Sequence, residues 1–101
     1  MIYEEMAREF VKKNGLDIGD VGLQLLCTVE EVGEVAKAVL EGGNLEKEIA
    51  DALFTLFVLA ELVGMDVQKV YFDVGMENLG KSEKTEGGKV KRLTGYMKRL
   101  E

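Results

Sequence analysis

Between Ala52 and Ala60 only Thr55 is polar, so a helix built from this segment is apolar nearly all the way round. Such a helix has to be covered on more than one side. A chain of 101 residues has material for one domain and a limited core of its own. The segment is therefore expected at the centre of a helical bundle that a second copy completes, with Phe54, Phe57 or Leu59 at an interface or in a shared core.

The boundaries of the elements follow from their punctuation. Asn44 can cap this helix from Leu45, and Gly64 stops it after Val63. No proline interrupts the chain. Tyr3, Met6, Ala7, Phe10 and Val11 recur at helical spacing over residues 3–13, with Gly15 as the stop. Asp20 can cap a second helix that runs to about Glu41 and ends at Gly42-Gly43. Asp66 can cap a fourth, running to about Leu79. KSEKTEGGK reads as a mobile loop and VKRLTGYMKRL as a short last helix. No alternation of period two is long enough to suggest a sheet. The expected fold is all-α: an antiparallel bundle of four to five helices, one domain over residues 1–101. Residues 80–101 are its loop and short C-terminal helix, and association into a homodimer or homotetramer completes it.

Composition closes several routes. There is no histidine, which excludes Ser-His, Cys-His and His-ligated metal chemistry. The lone Cys27 excludes an intramolecular disulfide, fits a reducing cytoplasm, and reads as a small core residue. The N-terminus is amphipathic and charged from Glu4 onward, so no signal peptide is expected. The stretch from Ala52 to Met65 is interrupted by Glu61 and falls short of the roughly 20 residues of a membrane span. Residues 1–80 carry 6 Lys and Arg against 16 Asp and Glu, a net charge of −10, whereas residues 81–101 carry 7 against 3, a net +4. An acidic body repels a nucleic-acid polymer but can hold divalent cations, and a basic tail can meet phosphates. A soluble surface with a flexible basic end has the same composition.

Two acidic spacings stand out, EEVGE (Glu30, Glu31, Glu34) and EIAD (Glu48, Asp51). At roughly 100° per residue, Glu31 and Glu34 lie roughly 60° apart and Glu30 within about 40° of Glu34. Only a short turn joins the two helices, so they should be antiparallel neighbours whose carboxylates can converge. Four or five acids at that range need a cation, and oxygen-only ligands favour Mg²⁺ or Mn²⁺. The plain alternative is a solvated stripe of Glu30, Glu34, Lys37 and Glu41, with Glu34 and Lys37 as a surface pair. Against it, the face of Glu48 and Asp51 continues through Thr55 to Val58 and Leu62, so these acids stand at the mouth of an apolar stripe. Gly33, between two of the acids, costs about 1 kcal/mol in mid-helix and leaves room for a close helix or a ligand.

EEVGE followed at short range by EIAD resembles the ExxE…ExxD signature of the MazG-like all-α nucleoside triphosphate pyrophosphohydrolases. These include dimeric dUTP/dCTP pyrophosphatases and phosphoribosyl-ATP pyrophosphohydrolases. The contexts VEEVGEVAKAVL and KEIADALFTLFVLAELVGMDV are similar as well. DVGMENLGK followed by EGGKVKR resembles the EVxxxNxxK element and later DGKVxK run of the branch near the phosphoribosyl-ATP enzymes. That branch usually has polar or basic residues where this chain has Gly75 and Met76.

The resemblance covers roughly residues 20–92 and implies a Mg²⁺-dependent enzyme, with Mn²⁺ as the possible substitute. It would cleave a nucleoside or deoxynucleoside triphosphate between its α and β phosphates into a monophosphate and pyrophosphate. Glu31, Glu34, Glu48 and Asp51 would be the metal ligands, and Glu30 would activate the water. Asn78 and Lys81 would contact substrate, and Lys89 and Lys91 would neutralise phosphates. The rival reading is a non-catalytic helical interaction module that keeps the fold; retention of all four ligand-type acids speaks against it. A di-iron carboxylate bundle normally uses Glu-x-x-His, which is absent here.

Overall fold

The computed structural model describes residues 2–84 and 90–92. Its elements are α1 (Ile2–Asn14), α2 (Val21–Glu41), α3 (Leu45–Leu62), α4 (Val67–Gly80), β1 (Ser82–Lys84) and β2 (Val90–Arg92). A single 3₁₀ turn, Ile18–Asp20, precedes α2. The fold is all-α, apart from the short ribbon of β1 and β2. It divides into two compact units, residues 1–67 and 68–101. The first unit holds three helices, and α4 lies in the second. No helix among the described residues is long and apolar enough to cross a membrane.

Glycine ends the helices where its left-handed backbone is required. Gly15, at φ +62°, donates to the Lys12 carbonyl while Leu16 donates to that of Val11. Gly64, at φ +71°, repeats the arrangement, donating to Glu61 while Met65 donates to Ala60. Both are Schellman closures, which satisfy carbonyls that the last turn leaves open. Asn44 caps α3 as expected, its side chain accepting from the Lys47 N–H at 3.2 Å. Asp20 stands at the N-cap of α2 but makes no cap bond there. Its carboxylate instead accepts from the Asp17 N–H at 2.9 Å, while Asp17 accepts from Gly19 at 2.8 Å. A capping box around the 3₁₀ turn has taken the side chain that the helix would have used.

The first unit is organised around α3, which packs against both α1 and α2. Ala7, Val58 and Leu62 form its buried centre, with Val11, Leu16, Val21, Phe54 and Phe57 against them. Phe10 meets Phe54 edge-on at 5.1 Å between ring centroids. Phe54 and Phe57 thus serve the chain's own core; among the apolar residues left exposed on α3 are Leu45, Ile49, Leu53 and Leu56.

The seam between α2 and α3 mixes polar with apolar residues. Only Val21, Gln24, Thr28, Glu31, Val35 and Ala38 of α2 are shielded from solvent, a spacing of three and four that marks one helical stripe. Within it Thr28 is 6% exposed and donates to the Gln24 carbonyl, while Gln24 Nε2 donates across the seam to the Thr55 carbonyl at 2.9 Å. Leu23, Leu25, Leu26, Val29, Val32, Val39 and Leu40 are exposed. Cys27 falls beside the stripe rather than in it, so it is exposed and not the core residue its type suggested.

In the second unit, Lys69 and Asp73 form an i, i+4 pair on α4 at 3.0 Å. Ser82, Glu83 and Lys84 lie opposite Arg92, Lys91 and Val90 in antiparallel register. A strand thus replaces part of the expected loop and the start of the expected last helix. Ladder bonds satisfy backbone that a solvated loop leaves to water.

Candidate metal centre

The seam leads directly to the acids. Gln24 on α2 meets Thr55 on α3, and about two turns nearer the connecting loop Glu31 meets Glu48 and Asp51. Residue numbers rise on one helix as they fall on the other, which is the signature of antiparallel neighbours. Glu31, Glu48 and Asp51 each offer a carboxylate oxygen, and these oxygens lie within 4.8 Å of one another. All three residues are half-buried.

Glu31 registers the crowding. Partial burial, then the carboxylates of Asp51, Glu48, Glu30 and Glu34, hold its pKa above the ordinary glutamate value. Lys47 responds in the opposite sense. Its hydrogen bond to Asp51 and the charges of Asp51, Glu48 and Glu31 raise its pKa, because its ammonium form is favoured beside them. Lys47 Nζ donates to Asp51 Oδ2 at 2.7 Å. The site therefore carries negative charge that one ammonium only partly offsets.

The donor set fits a hard divalent cation. It is all oxygen, and oxygens on opposite sides of a Mg²⁺- or Ca²⁺-sized ion stand about 4–5 Å apart, so oxygens within 4.8 Å of one another can reach one ion.

Of the candidates read from the sequence, the structure brings together Glu31, Glu48 and Asp51. Glu34, one turn further along α2, is exposed and lies outside that group, though near enough to act on Glu31. Glu30 is likewise exposed on α2 and also acts on Glu31. Glu30, Glu34, Lys37 and Glu41 are all exposed, and among the described residues no ion pair joins Glu34 to Lys37. Asn78 is exposed near the end of α4, and Lys81 follows that helix with Nζ 4.0 Å from Glu77 Oε1. Lys91 lies in β2, opposite Glu83 in register. Lys89 lies outside the described residues. The residue that sequence reasoning missed is Lys47; its i, i+4 spacing from Asp51 was the available signal.

The direction of the Glu31 shift has a measurable consequence. Between its ordinary pKa and its raised one, the folded chain binds more protons than the unfolded chain, so the contribution of Glu31 to stability falls as pH rises through that interval. Above the raised value the cost is complete. Glu31→Gln is expected to raise the thermal midpoint of the protein in chelator at neutral pH, an advantage that vanishes below about pH 4. Thermal unfolding at both pH values checks this; a lower midpoint for the variant at neutral pH would contradict it.

Against protein families, the model of the MazG nucleotide pyrophosphohydrolase domain matches residues 21–81, which include the whole seam and Glu30, Glu31, Glu34, Glu48 and Asp51. No curated protein and no solved structure matches the chain.

Proposed function

The chain belongs to the MazG nucleotide pyrophosphohydrolase family, and from that premise we propose that it hydrolyses a nucleoside or deoxynucleoside triphosphate between the α and β phosphates. The observation that carries the reading is the meeting of Glu31, Glu48 and Asp51 across two neighbouring helices inside the matched span. These three residues, completed by Glu34, would hold Mg²⁺ or Mn²⁺. Such an ion neutralises phosphate charge and orients water toward the α-phosphorus.

The chain's own groups account for the rest. Glu30 accepts a proton from the attacking water as its oxygen bonds to the α-phosphorus. The bond from that phosphorus to the bridging oxygen breaks, and pyrophosphate leaves with the electron pair. Glu30 is suited to this because it is exposed beside the acids and stands outside the three-carboxylate group. We assign substrate contact to Asn78 and Lys81 and phosphate neutralisation to Lys89 and Lys91, on resemblance alone.

A pyrophosphate-release screen over the common nucleotides, with and without Mg²⁺, tests the function. At least one triphosphate should give its monophosphate and pyrophosphate only when the ion is present. Release of orthophosphate instead, or no release from any nucleotide, would overturn the reading.

We also propose that a second copy covers the open apolar surface, as a homodimer or homotetramer. The support is the inverted helix α2, which turns Gln24, Thr28 and Glu31 inward and leaves Leu26 and Val29 more than 60% exposed. Exposed apolar surface on that scale marks an interaction site. Gly33 belongs to the same open side, and a Cβ built there would meet nothing within 4 Å, so no neighbour among the described residues explains the glycine. Sedimentation at micromolar concentration should show a dimer or larger species, and Val29→Glu should shift it toward monomer. A helical wild-type monomer under those conditions would defeat the proposal.

A further inference from the structure

Lys47 is poorly placed for the helix that carries it. It lies in the first turn of α3, where the macrodipole favours anions, and its pairing runs from Lys to Asp four residues on, the weaker orientation for such a pair. Its surroundings account for it better. The ammonium sits 2.7 Å from Asp51 Oδ2 and is attracted also by Glu48 and Glu31. These are the three carboxylates gathered at the seam, and no other cation among the described residues is recorded against them.

We propose that Lys47 is the internal counter-ion of the carboxylate site, holding Asp51 until a divalent cation displaces it, and thereby setting the affinity for that cation. The inference rests on the metal-site reading above. A monovalent ammonium and a divalent ion drawn to the same carboxylate repel each other, so binding is an exchange: the ion gains Asp51 as the lysine contact is given up. The residue acts on the metal through Asp51 and is a positioning residue. Its long stem lets the displaced ammonium swing into solvent, where its side chain is already 63% exposed. A site emptied of its cation is then never left with all its charges bare.

The test is Mn²⁺ titration calorimetry on the full chain, comparing wild type with Lys47→Met, Lys47→Arg and Asp51→Asn. Lys47→Met should bind Mn²⁺ more tightly, on the order of fivefold, as expected when one like charge is removed from near a divalent ion in a largely aqueous dielectric. Lys47→Arg, which keeps the charge, should stay near wild type. A second readout needs no substitution to alter the site. The Lys47 side-chain Cε and Nζ resonances of the wild type should shift during a Mg²⁺ titration, in step with filling of the site.

Equal or weaker binding by Lys47→Met would overturn the proposal, and so would Lys47 resonances that stay still while Mg²⁺ binds. Should wild type bind, Asp51→Asn fail to bind and Lys47→Met match wild type, the metal site stands and only the role of Lys47 falls. Absence of Mn²⁺ binding by wild type would remove both.

Discussion

Replacing Glu30 with glutamine is expected to lower turnover by about 10²- to 10⁴-fold, the usual contribution of a general base, while leaving metal affinity nearly unchanged. Glutamine keeps the size of the side chain and removes its ability to take a proton. The separation of the two effects follows from placement: Glu30 is exposed on α2 and is not one of the three carboxylates that converge. It still lies near enough to raise the pKa of Glu31, so removing its charge will loosen the field at the site slightly rather than dismantle it. The measurement is steady-state turnover at saturating Mg²⁺ together with Mn²⁺ titration of the same protein, because partial occupancy would imitate a lost base. Metal binding that falls as far as in Glu31→Gln would make Glu30 a ligand. Turnover that does not change would return it to the surface.

Glu48→Gln should have the other signature, with metal binding and turnover falling together. Loss of an outer-shell partner typically costs about 10- to 100-fold in metal affinity or activity, and loss of a direct ligand should cost at least as much. Glu48 comes from α3 and Glu31 from α2, so the variant leaves the remaining ligands divided between two helices with Asp51 alone on α3. Asp51 would then be held by Lys47 without a competing carboxylate one turn away. Calorimetry with Mn²⁺ and the pyrophosphate-release assay at several Mg²⁺ concentrations check this. Wild-type binding by Glu48→Gln would remove Glu48 from the site. Turnover restored in full at high Mg²⁺ would confine its part to affinity.

The two variants are diagnostic as a pair. A surface stripe of acids would respond weakly and alike to both, since exposed charge pairs contribute about 0–1 kcal/mol. A metal site with a separate base responds strongly and differently.

Much of this arrangement is legible in the sequence because it depends on local chemistry. Gly15 and Gly64 end their helices through backbone angles that other residues adopt only under strain, so their positions announce the stops. Asn44 caps α3 through a bond to its own neighbour Lys47. The short connection at Gly42 and Gly43 makes α2 and α3 antiparallel neighbours, which brings the two acidic spacings to similar heights along the pair. Where a side chain has two local partners to choose from, the sequence is less decisive: Asp20 could cap α2, but it closes the 3₁₀ turn instead.

Only the tertiary structure decided the rotation of α2. Periodicity defines which residues share a face, but α2 has an apolar face as well as its mixed one, and nothing local says which turns toward α3. The fold turned the mixed face inward, with Gln24 bonded to the Thr55 carbonyl and Thr28 to its own helix. That rotation selects Glu31 from EEVGE, leaves Glu30 and Glu34 at the rim, and puts Cys27 and the leucines outside. It also adds the charge of Glu31 to that of Glu48 and Asp51 at Lys47, which reads in the sequence as one more surface lysine. The spacing of the acids is a property of one helix at a time. Their convergence depends on how two helices face each other, and that is decided by packing and by partners for buried polar groups.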